Sequence, residues 1–484
     1  MNSRKIKSLK KPSDWWRDAN GVPASGFSAK GVFSPAKYDP KAPYAVKGKT
    51  FCLASNPGFA IEDPFDLDNL RFIDARNVRR ALEELEDICE HTDKELVCII
   101  GTGGTIASYM GDDGKIHPGL SIRQLLEYAG GRLDERFGLT SFSLTTLIPS
   151  SQMEIDYIAD VVVAMSWLYK HLSYSAVTRF TGFVVTHGTD TLAPSATYAN
   201  VMLGSNCPFS VAFVASQKTI GDRFTDVGIN FFNCMSVLSE LKLHRKSTVF
   251  IYMGGTQGGA FIPSASMKIS DSEADAFGSP GRKKIVDSSD FMISGIDTSF
   301  INLNAEQMTT EDVFQPIILR GYVPLATLHA RIGMDIDLLY DHVRNLKTLA
   351  LILVTYGAFS FSYKQIDAIM RAAREAGIMV MGVNPFPTGR TDHKYEESLY
   401  LMEQGIFSVH ALEHAVYAKV KWAQAVYGND LKKIRFFITG NNFMGEQPPE
   451  WKPPLDVRHE ASITGGFAMR AIGQPRESLK KRVG

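Results

Sequence analysis

The chain has 484 residues, and its 52 Lys+Arg balance 52 Asp+Glu, so the formal charge at pH 7 is zero. With 44% apolar and 21% charged residues, the composition is typical of a folded globular protein and excludes a disordered or fibrous one. The basic N-terminus meets Pro12 and Asp14 instead of an apolar run, and apolar stretches such as 157–168 are short, so neither a secretory signal nor a membrane contact is expected. The five cysteines are scattered without metal-binding spacing, which predicts reduced thiols in a cytoplasmic protein.

The neutral total conceals an uneven distribution of charge. Residues 1–50 are rich in Pro, Gly, Ser and Lys and hold 11 Lys+Arg against 3 Asp+Glu, while the last 15 residues hold 5 against 1. The segment between them is therefore acidic. We expect the two basic, irregular ends to lie over this body or over a neighbouring subunit, and nucleic-acid binding is the less favoured alternative.

Between the ends, short apolar runs alternate with helical patterns. A first helix is predicted over 75–91, where apolar residues recur at three-to-four spacing, and others are predicted over 153–171, 195–203 and 363–376, the last ending at Gly377. The apolar runs predict buried parallel strands at 96–100, 182–186, 209–215, 248–253, 349–355 and 378–383. Strands that alternate with helices predict a doubly wound α/β fold.

Composition and pattern divide the chain into five segments. These are an N-terminal extension with one helix (1–94), a larger α/β domain (95–300), a linker (301–321), a smaller α/β domain (322–447) and an irregular basic tail (448–484). The linker is placed there because 270–321 is rich in Asp, Ser, Gly and Pro and interrupts the alternation of strands and helices.

A glycine-rich turn follows the first predicted strand. Gly101-Thr-Gly-Gly-Thr-Ile-Ala-Ser108 begins where the strand 96–100 ends, which is the edge where open α/β sheets bind ligands. A phosphate-binding turn is poorly supported, because Ile106 stands where a third glycine is needed. Two interpretations stay open: a turn that brings the backbone close to a small ligand beside a nucleophilic hydroxyl, or a tight turn without chemistry.

A second polar cluster follows the strand 182–186. His187-Gly-Thr-Asp-Thr-Leu192 supplies a hydroxyl at Thr189 and a carboxylate at Asp190, which can bind an ammonium group and activate a hydroxyl or a water. Alone, this cluster could also be a helix N-cap. Since parallel strands end at the same edge of a sheet, we expect both turns to converge on one cleft.

The two motifs together resemble the signatures of the bacterial-type L-asparaginase family, Thr-Gly-Gly-Thr-Ile-Ala (102–107) and His-Gly-Thr-Asp-Thr (187–191). Pro149-Ser-Ser-Gln-Met153 is similar to the substrate-binding serine turn of that family. The nine-residue step from Lys268 to Phe277 resembles the spacing that follows its catalytic lysine. In all, the resemblance covers about 95–447 and leaves both ends unexplained.

The resemblance implies an asparaginase-type fold with a larger N-terminal catalytic domain and a smaller C-terminal domain. It also implies an amidohydrolase that cleaves the side-chain amide of L-asparagine, or a related amide, through an acyl-enzyme. Thr105 would be the nucleophile. Thr189, Asp190 and Lys268 would form a second catalytic cluster, in which Asp190 also binds the substrate ammonium.

The same resemblance implies that the substrate α-carboxylate is held by Ser150 and Ser151. It implies no metal and no organic cofactor. Because the family assembles as dimers of dimers with sites at subunit contacts, we expect a homo-oligomer, with an amino-acid amide as the small-molecule partner.

Three positions depart from the family pattern. In the loop after the first motif, where the family has an assisting tyrosine, the candidates are Tyr109, Lys115 and His117. Ala193-Pro194 replaces two acidic residues, and proline is expected to fit the first turn of a helix. Phe359-Ser360 replaces a Gly-Asn turn that reaches a neighbouring subunit's site, so the phenylalanine is expected to reshape the far wall of the pocket.

Two alternatives to a free-standing asparaginase stay open. One is the ammonia-generating subunit of a tRNA-dependent amidotransferase, although residues 1–94 lack the strand-rich pattern of the small barrel that such relatives carry. The other is a catalytically silent amino-acid sensor or scaffold of the same fold.

Overall fold

The structure is a computed structural model that describes residues 63–446. The gaps within this range are 112, 115, 130–131, 205, 221, 256–257, 271–274, 280–283, 290–291, 297–313, 315, 323–324, 387–394 and 441–443. The basic arm 1–50, the tail 448–484 and most of the linker 301–321 fall outside the described residues.

The helices and strands alternate along the chain. The helices are α1 (Ala75–His91), α2 (Ile122–Ala129), α3 (Arg132–Arg136), α4 (Ile155–His171), α5 (Tyr174–Arg179), α6 (Leu192–Leu203), α7 (Val227–Leu243), α8 (Ile336–Asn345), α9 (Tyr363–Ala376), α10 (Glu396–Glu403), α11 (Glu413–Tyr427) and α12 (Leu431–Gly440). The strands of the larger sheet are β1 (Glu95–Gly103), β4 (Phe137–Ile148), β5 (Phe180–Thr186), β6 (Ser210–Val214), β7 (Val249–Met253), β8 (Gly258–Phe261), β11 (Val286–Ser289) and β12 (Met292–Ile296). The smaller sheet contains β13 (Leu325–His329), β14 (Ala350–Val354), β15 (Met379–Val383) and β16 (Phe407–Val409), and two short hairpins contain β2 (Ser108–Met110) with β3 (Ile116–Pro118) and β9 (Met267–Lys268) with β10 (Phe277–Gly278).

The larger sheet has the strand order β12-β11-β8-β7-β6-β5-β1-β4. It is parallel from β4 to β7 and antiparallel beyond β7. Every residue of β5, β6 and β7 is buried, because helices cover both faces of these strands. One core contains α1, α4 and α6, and the core on the opposite face contains α2 and α7. The predicted α/β fold is confirmed.

Helix α1 packs into the core of the larger sheet, although the sequence pattern places it in the N-terminal extension. Its buried residues Val78, Ala81 and Leu85 lie in the same core as α4 and α6. The Asp74 carboxylate caps the helix by accepting a hydrogen bond from the amide of Arg76. The helix therefore covers part of one face of the larger sheet.

The order of the strands creates a crevice between β1 and β5. The chain passes from β1 to β4 on one side, and from β5 to β6 on the other, so the connections that leave β1 and β5 diverge. In open α/β sheets, ligands bind at such a switch point, beyond the carboxyl ends of the two strands. Both glycine-containing motifs occupy these two connections.

In the smaller sheet, all strands are parallel and follow the order β13-β14-β15-β16. Helices α8, α9 and α10 pack on one face, whereas α11 and α12 cover the other. Helix α9 ends, as predicted, at Gly377, which adopts the left-handed conformation with φ 71°.

Phe359 lies in the core of the smaller sheet. Its side chain is fully buried among residues of α8 and α9, and a Cβ atom added to Gly382 would overlap its ring. The residue has φ 59°, a left-handed conformation that favours glycine. The expectation that its ring reshapes the far wall of the pocket is therefore wrong: the backbone accepts a strained conformation, and the ring turns inward to the core.

A buried ion pair connects the segment before the smaller sheet to the larger one. The Arg320 guanidinium lies 2.7 Å from the Asp160 carboxylate on α4, and both side chains are almost completely buried. Arg320 also donates to the carbonyls of Asp156 (3.0 Å) and Asn69 (3.0 Å). This network attaches the end of the linker to the N-terminal segment and to α4.

Candidate active site

The two glycine turns are in direct backbone contact at the crevice between β1 and β5. Gly103 and Gly104 have φ values of 114° and 83°, and a Cβ atom on Gly104 would overlap the amide nitrogen of Gly188. A Cβ atom on Gly188 would in turn overlap the hydroxyl of Ser150. Only glycine fits these positions. The predicted convergence of the two motifs on one cleft is therefore observed, and the serine turn joins them.

Hydroxyl groups fix the first turn. Thr102 Oγ1 donates to the carbonyl of Thr186 at the end of β5 (2.6 Å), and Ser108 Oγ donates to the carbonyl of Gly104 (2.9 Å). Thr105 begins the 3-10 turn Thr105–Ala107, directly after Gly104. Its position in the crevice is thus set by the contact between Gly104 and the second motif.

Lys268 connects both polar residues of the second motif. Its Nζ atom donates to Thr189 Oγ1 (2.9 Å) and to Asp190 Oδ1 (2.8 Å). The Thr189 residue is 7% exposed, whereas 58% of the Asp190 side chain is accessible to solvent. Three of the four predicted catalytic residues therefore form one bonded cluster.

The serine turn 150–152 contributes a buried and an exposed hydroxyl. Ser150 is 5% exposed, and its Oγ accepts a hydrogen bond from the Asp190 amide (3.3 Å) and lies 3.5 Å from Asp190 Oδ2. Thr191 Oγ1 donates to the carbonyl of Ser150 (2.7 Å). The side chain of Ser151 is exposed. The Ser150 hydroxyl is thus used within the protein, and that of Ser151 is accessible.

His187 is a site residue that sequence reasoning did not select. The side chain is completely buried at the end of β5, and its Nδ1 lies 2.7 Å from the carbonyl oxygen of Gly188. Burial lowers the pKa of His187 to about 4, so the ring is neutral at pH 7. With Nδ1 donating, the ring supports the carbonyl of the turn that carries Thr189 and Asp190.

Lys268 lies in the β9–β10 hairpin. Its backbone pairs with that of Phe277, and the amide of Ile269 donates to the carbonyl of Ala276 (2.7 Å). Lys268 and Phe277, which are nine positions apart in the sequence, are thus paired residues of this hairpin. The strand β9 is preceded by a 3-10 turn, Pro263–Ala265.

The loop after Thr105 forms a short hairpin. Tyr109 lies on β2, opposite His117 on β3, and is 40% exposed. The side chain of His117 and the whole of Lys115 lie outside the described residues. Pro194 lies in the first turn of α6, as expected.

Neither a membrane-spanning helix nor a metal-binding cluster is found in the described part of the chain. Within it, no helix combines the length and apolar character needed to cross a membrane. Among the same residues, no group of three or more His, Cys, Asp and Glu is placed to hold a metal ion. Cys89, Cys98, Cys207 and Cys234 form no disulfide among the described residues, and Cys52 is not described.

Comparison with known proteins identifies relatives over most of the chain. Residues 96–295 match the family model described as Asparaginase, N-terminal. The L-asparaginase of Thermococcus kodakarensis is 24% identical over 354 residues, which cover 72% of this chain and 98% of that protein. One of the subunits of the glutamyl-tRNA(Gln) amidotransferase of Saccharolobus islandicus is 22% identical over 416 residues, which cover 84% of this chain and 88% of that protein.

Solved structures share the fold. The structure of the thermostable L-asparaginase from Thermococcus kodakarensis has a TM-score of 0.59 at 20% identity, and covers 73% of this chain and 99% of its own. The structure of L-asparaginase I from Vibrio cholerae has a TM-score of 0.58 at 18% identity, with the same coverage. Residues 96–295 thus match an asparaginase family model, and the chain shares the fold of L-asparaginases, to which it is distantly similar in sequence.

Proposed function

We propose that the protein hydrolyses the side-chain amide of a free amino acid, L-asparagine first, through an acyl-enzyme on Thr105. The observation that carries this proposal is the bonded cluster of Lys268, Thr189 and Asp190 on a turn that touches the turn of Thr105. A hydroxyl nucleophile beside a second hydroxyl, a lysine and a carboxylate matches the requirements of acyl transfer.

In the proposed first step, Thr105 Oγ attacks the amide carbon. As the C–N bond breaks, the leaving nitrogen takes up a proton and departs as ammonia, and an ester with Thr105 remains. Water then attacks the ester, which releases the carboxylic acid and restores the threonine hydroxyl. Backbone N–H groups of the glycine turns supply donors for the oxyanion of each tetrahedral intermediate.

Lys268 and Thr189 assist these proton movements. Because Lys268 Nζ donates to Thr189 Oγ1, the hydroxyl hydrogen of Thr189 can point to a third group, such as the attacking water. The Asp190 carboxylate accepts from Lys268 through Oδ1 and is accessible from the crevice, which suits it to bind a substrate ammonium.

The two serines then receive different roles. We assign the α-carboxylate of the substrate to Ser151, which is exposed and follows Ser150 in the same turn. Ser150, to which the family resemblance gives the same task, is buried and bonded to the Asp190 amide, so it orients the second motif instead.

The test is ammonia release by the purified full-length chain from L-asparagine, L-glutamine and their D-isomers. We expect Thr105→Ala to abolish turnover, and Lys268→Met to lower kcat by about 100- to 10,000-fold, the range for loss of acid–base assistance. Lys364→Met, which removes an exposed lysine on α9, is the matched control and keeps wild-type turnover. Ammonia release that is equal in the wild type and in Thr105→Ala would refute the mechanism.

The second candidate function is that of an ammonia source within a tRNA-dependent amidotransferase. It is supported by the relative named as a subunit of glutamyl-tRNA(Gln) amidotransferase, which spans 84% of the chain. In that case, ammonia release depends on a co-purifying partner and on aminoacyl-tRNA, whereas the isolated chain is inactive. A thermal shift with L-aspartate but no turnover in either setting would indicate the third alternative, a silent sensor.

We also propose that the protein is a homo-oligomer, a dimer of dimers by family analogy. Supporting it is a surface cavity of about 780 Å³ beyond the carboxyl ends of β13 and β14, lined in part by Tyr356, Ser360 and Tyr395. Tyr356 and Tyr395 are 39% and 57% exposed, and exposed aromatic patches are typical of interaction sites. Light scattering that shows only a 53.5 kDa species would exclude an oligomer.

A further inference from the structure

The position of Lys268 depends on the 3-10 turn that precedes it. Residues 263–265 form this turn, which closes through bonds from the Ala265 amide to the Ile262 carbonyl (3.1 Å) and from the Ser266 amide to the Pro263 carbonyl (3.3 Å). The next element, β9, contains only Met267 and Lys268. Because this strand is so short, the orientation of the preceding turn determines the position and direction of the Lys268 side chain.

Two hydrogen bonds hold this turn from the part of the chain that forms the smaller sheet. His414, the second residue of α11, has its Nε2 atom 3.1 Å from the carbonyl oxygen of Pro263. Ser264, completely buried, donates through Oγ to the carbonyl of Met444 (2.7 Å). The first bond joins residues that are 151 positions apart in the chain, and the second joins residues that are 180 positions apart. Both bonds meet at a turn that ends three residues before Lys268.

The rest of α11 is firmly packed, and this packing holds the backbone of His414 in place. Ala415 and Ala418 lie in the core that contains α6, and Val416 and Val420 lie in the core of the smaller sheet. Lys419 Nζ forms a buried ion pair with Glu446 at 2.5 Å. The first turn of α11 therefore cannot shift without disturbing both cores.

The protonation state makes His414 a directional donor. Burial lowers the pKa of His414 to about 4, so its imidazole is neutral at pH 7. Since the Pro263 oxygen can only accept, the hydrogen of the neutral ring must be on Nε2. The contact is thus an N–H···O bond of defined geometry and not a charge interaction.

We propose that His414 is a positioning residue, which fixes the 263–265 turn and thereby aims Lys268 at Thr189 and Asp190. The inference rests on the proposed amidohydrolase function. It gives the smaller sheet a role in the chemistry of the same chain, through α11. Misplacement of a catalytic group by about 1 Å can lower a rate by about 100-fold, so a single bond at this turn can matter.

The test compares His414→Leu, which fills similar volume without a donor, with His414→Gln, which keeps a donor at a similar distance from the backbone. The Pro263 carbonyl still accepts from Ser266 in both variants, so folding is expected to be retained. Val420→Ala is the matched control, because it weakens α11 on the face that packs against the smaller sheet, away from the 263–265 turn.

For His414→Leu we expect kcat to fall about 10- to 100-fold with KM changed less than about 3-fold, and His414→Gln to recover most of kcat. The second readout is acetylation of Lys268 by acetic anhydride, quantified by mass spectrometry. Loss of its two bonded partners is expected to speed this labelling several-fold in His414→Leu, but not in His414→Gln or Val420→Ala.

Unchanged kcat and unchanged labelling in folded His414→Leu would overturn the proposal, as would an equal loss of kcat in Val420→Ala. If the wild type releases no ammonia, the proposed function fails, and the labelling of Lys268 still decides the positioning role. If His414→Leu does not fold, Ser264→Ala removes the other bond to the same turn, and the same two readouts apply to it.

Discussion

Gly104 and Gly188 touch each other across the crevice between β1 and β5, and neither has room for a side chain. The contact joins the turn of Thr105 to the turn of Thr189 and Asp190. Because both residues are glycine, two segments of the same backbone meet directly. Side chains at these positions would separate the proposed nucleophile from its assisting groups.

Substitution of Gly104 tests this contact. In Gly104→Ala, the new methyl group meets the backbone of Gly188 and the residue keeps φ 83°, so we expect a loss of about 4 kcal/mol in the free energy of unfolding together with loss of turnover. The control is Gly114→Ala, which has φ 73° but open space around it, and we expect a cost of about 1 kcal/mol. Equal effects in urea unfolding would show that the contact is unimportant.

The buried pair of Asp160 and Arg320 predicts a large loss of stability when one partner is removed. The Asp160 carboxylate also accepts from the amides of Arg71 (2.7 Å) and Phe72 (2.6 Å). We expect Asp160→Ala to cost about 3–5 kcal/mol in urea unfolding, because it removes the carboxylate that balances the buried Arg320 charge. Asp341→Asn, at an exposed position of α8, should change the free energy of unfolding by less than about 0.5 kcal/mol.

The buried His187 and the half-buried His414 predict a loss of stability in mild acid. The pKa of His187 and that of His414 are each lowered to about 4 in the folded protein from an ordinary value of 6.5. Between these values the unfolded chain binds more protons than the folded one, so stability falls as the pH decreases from about 6.5 to about 4. At pH 4 each histidine accounts for a loss on the order of 3 kcal/mol.

Urea unfolding of wild type and His414→Gln at pH 7, 6, 5 and 4 measures this effect. Titrating carboxylates contribute equally to both proteins, so the difference between the two curves isolates the histidine. The variant should lose less stability on acidification than the wild type. Parallel curves over the whole range would contradict the lowered pKa of His414.

The central strands and several helix ends could be predicted because the signal is local. β5, β6 and β7 are buried on both faces and form continuous apolar runs, and Gly377 ends α9 where the pattern places it. The apolar runs do not mark β4, because it lies at the edge of the sheet and its buried and less buried residues alternate. The antiparallel strands β8, β11 and β12 are short and begin in a segment rich in glycine and polar residues, so no apolar run marks them.

At the site, the sequence motifs predict that the turn of Thr105 meets the turn of Thr189 and Asp190, because parallel strands end at one edge, and the contact of Gly104 with Gly188 agrees with this. They could not separate the buried Ser150 from the exposed Ser151, since burial depends on the contact with Gly188. The bond from His414 to Pro263 leaves no local pattern, because it joins residues that are 151 positions apart. Such contacts become visible only in the folded chain.

The inward orientation of Phe359 leads to the last prediction. A Cβ atom at Gly382 would overlap the phenyl ring and stand 2.8 Å from its Cζ atom. Gly382→Ala should therefore destabilise the protein by about 1–3 kcal/mol through overpacking, and Phe359→Leu by about 1–2 kcal/mol through lost contacts. Since leucine leaves space beside β15, the double variant should be more stable than the sum of the two losses predicts, by about 1–2 kcal/mol.

The control combination is Gly382→Ala with Val420→Ala. Val420 packs on the opposite face of the smaller sheet, so the two losses should add within about 0.5 kcal/mol. Additive behaviour of the Gly382–Phe359 pair in urea unfolding would mean that the ring does not pack on β15. A change of KM for asparagine in Phe359→Leu, with stability unaffected, would place the ring at the pocket instead of the core.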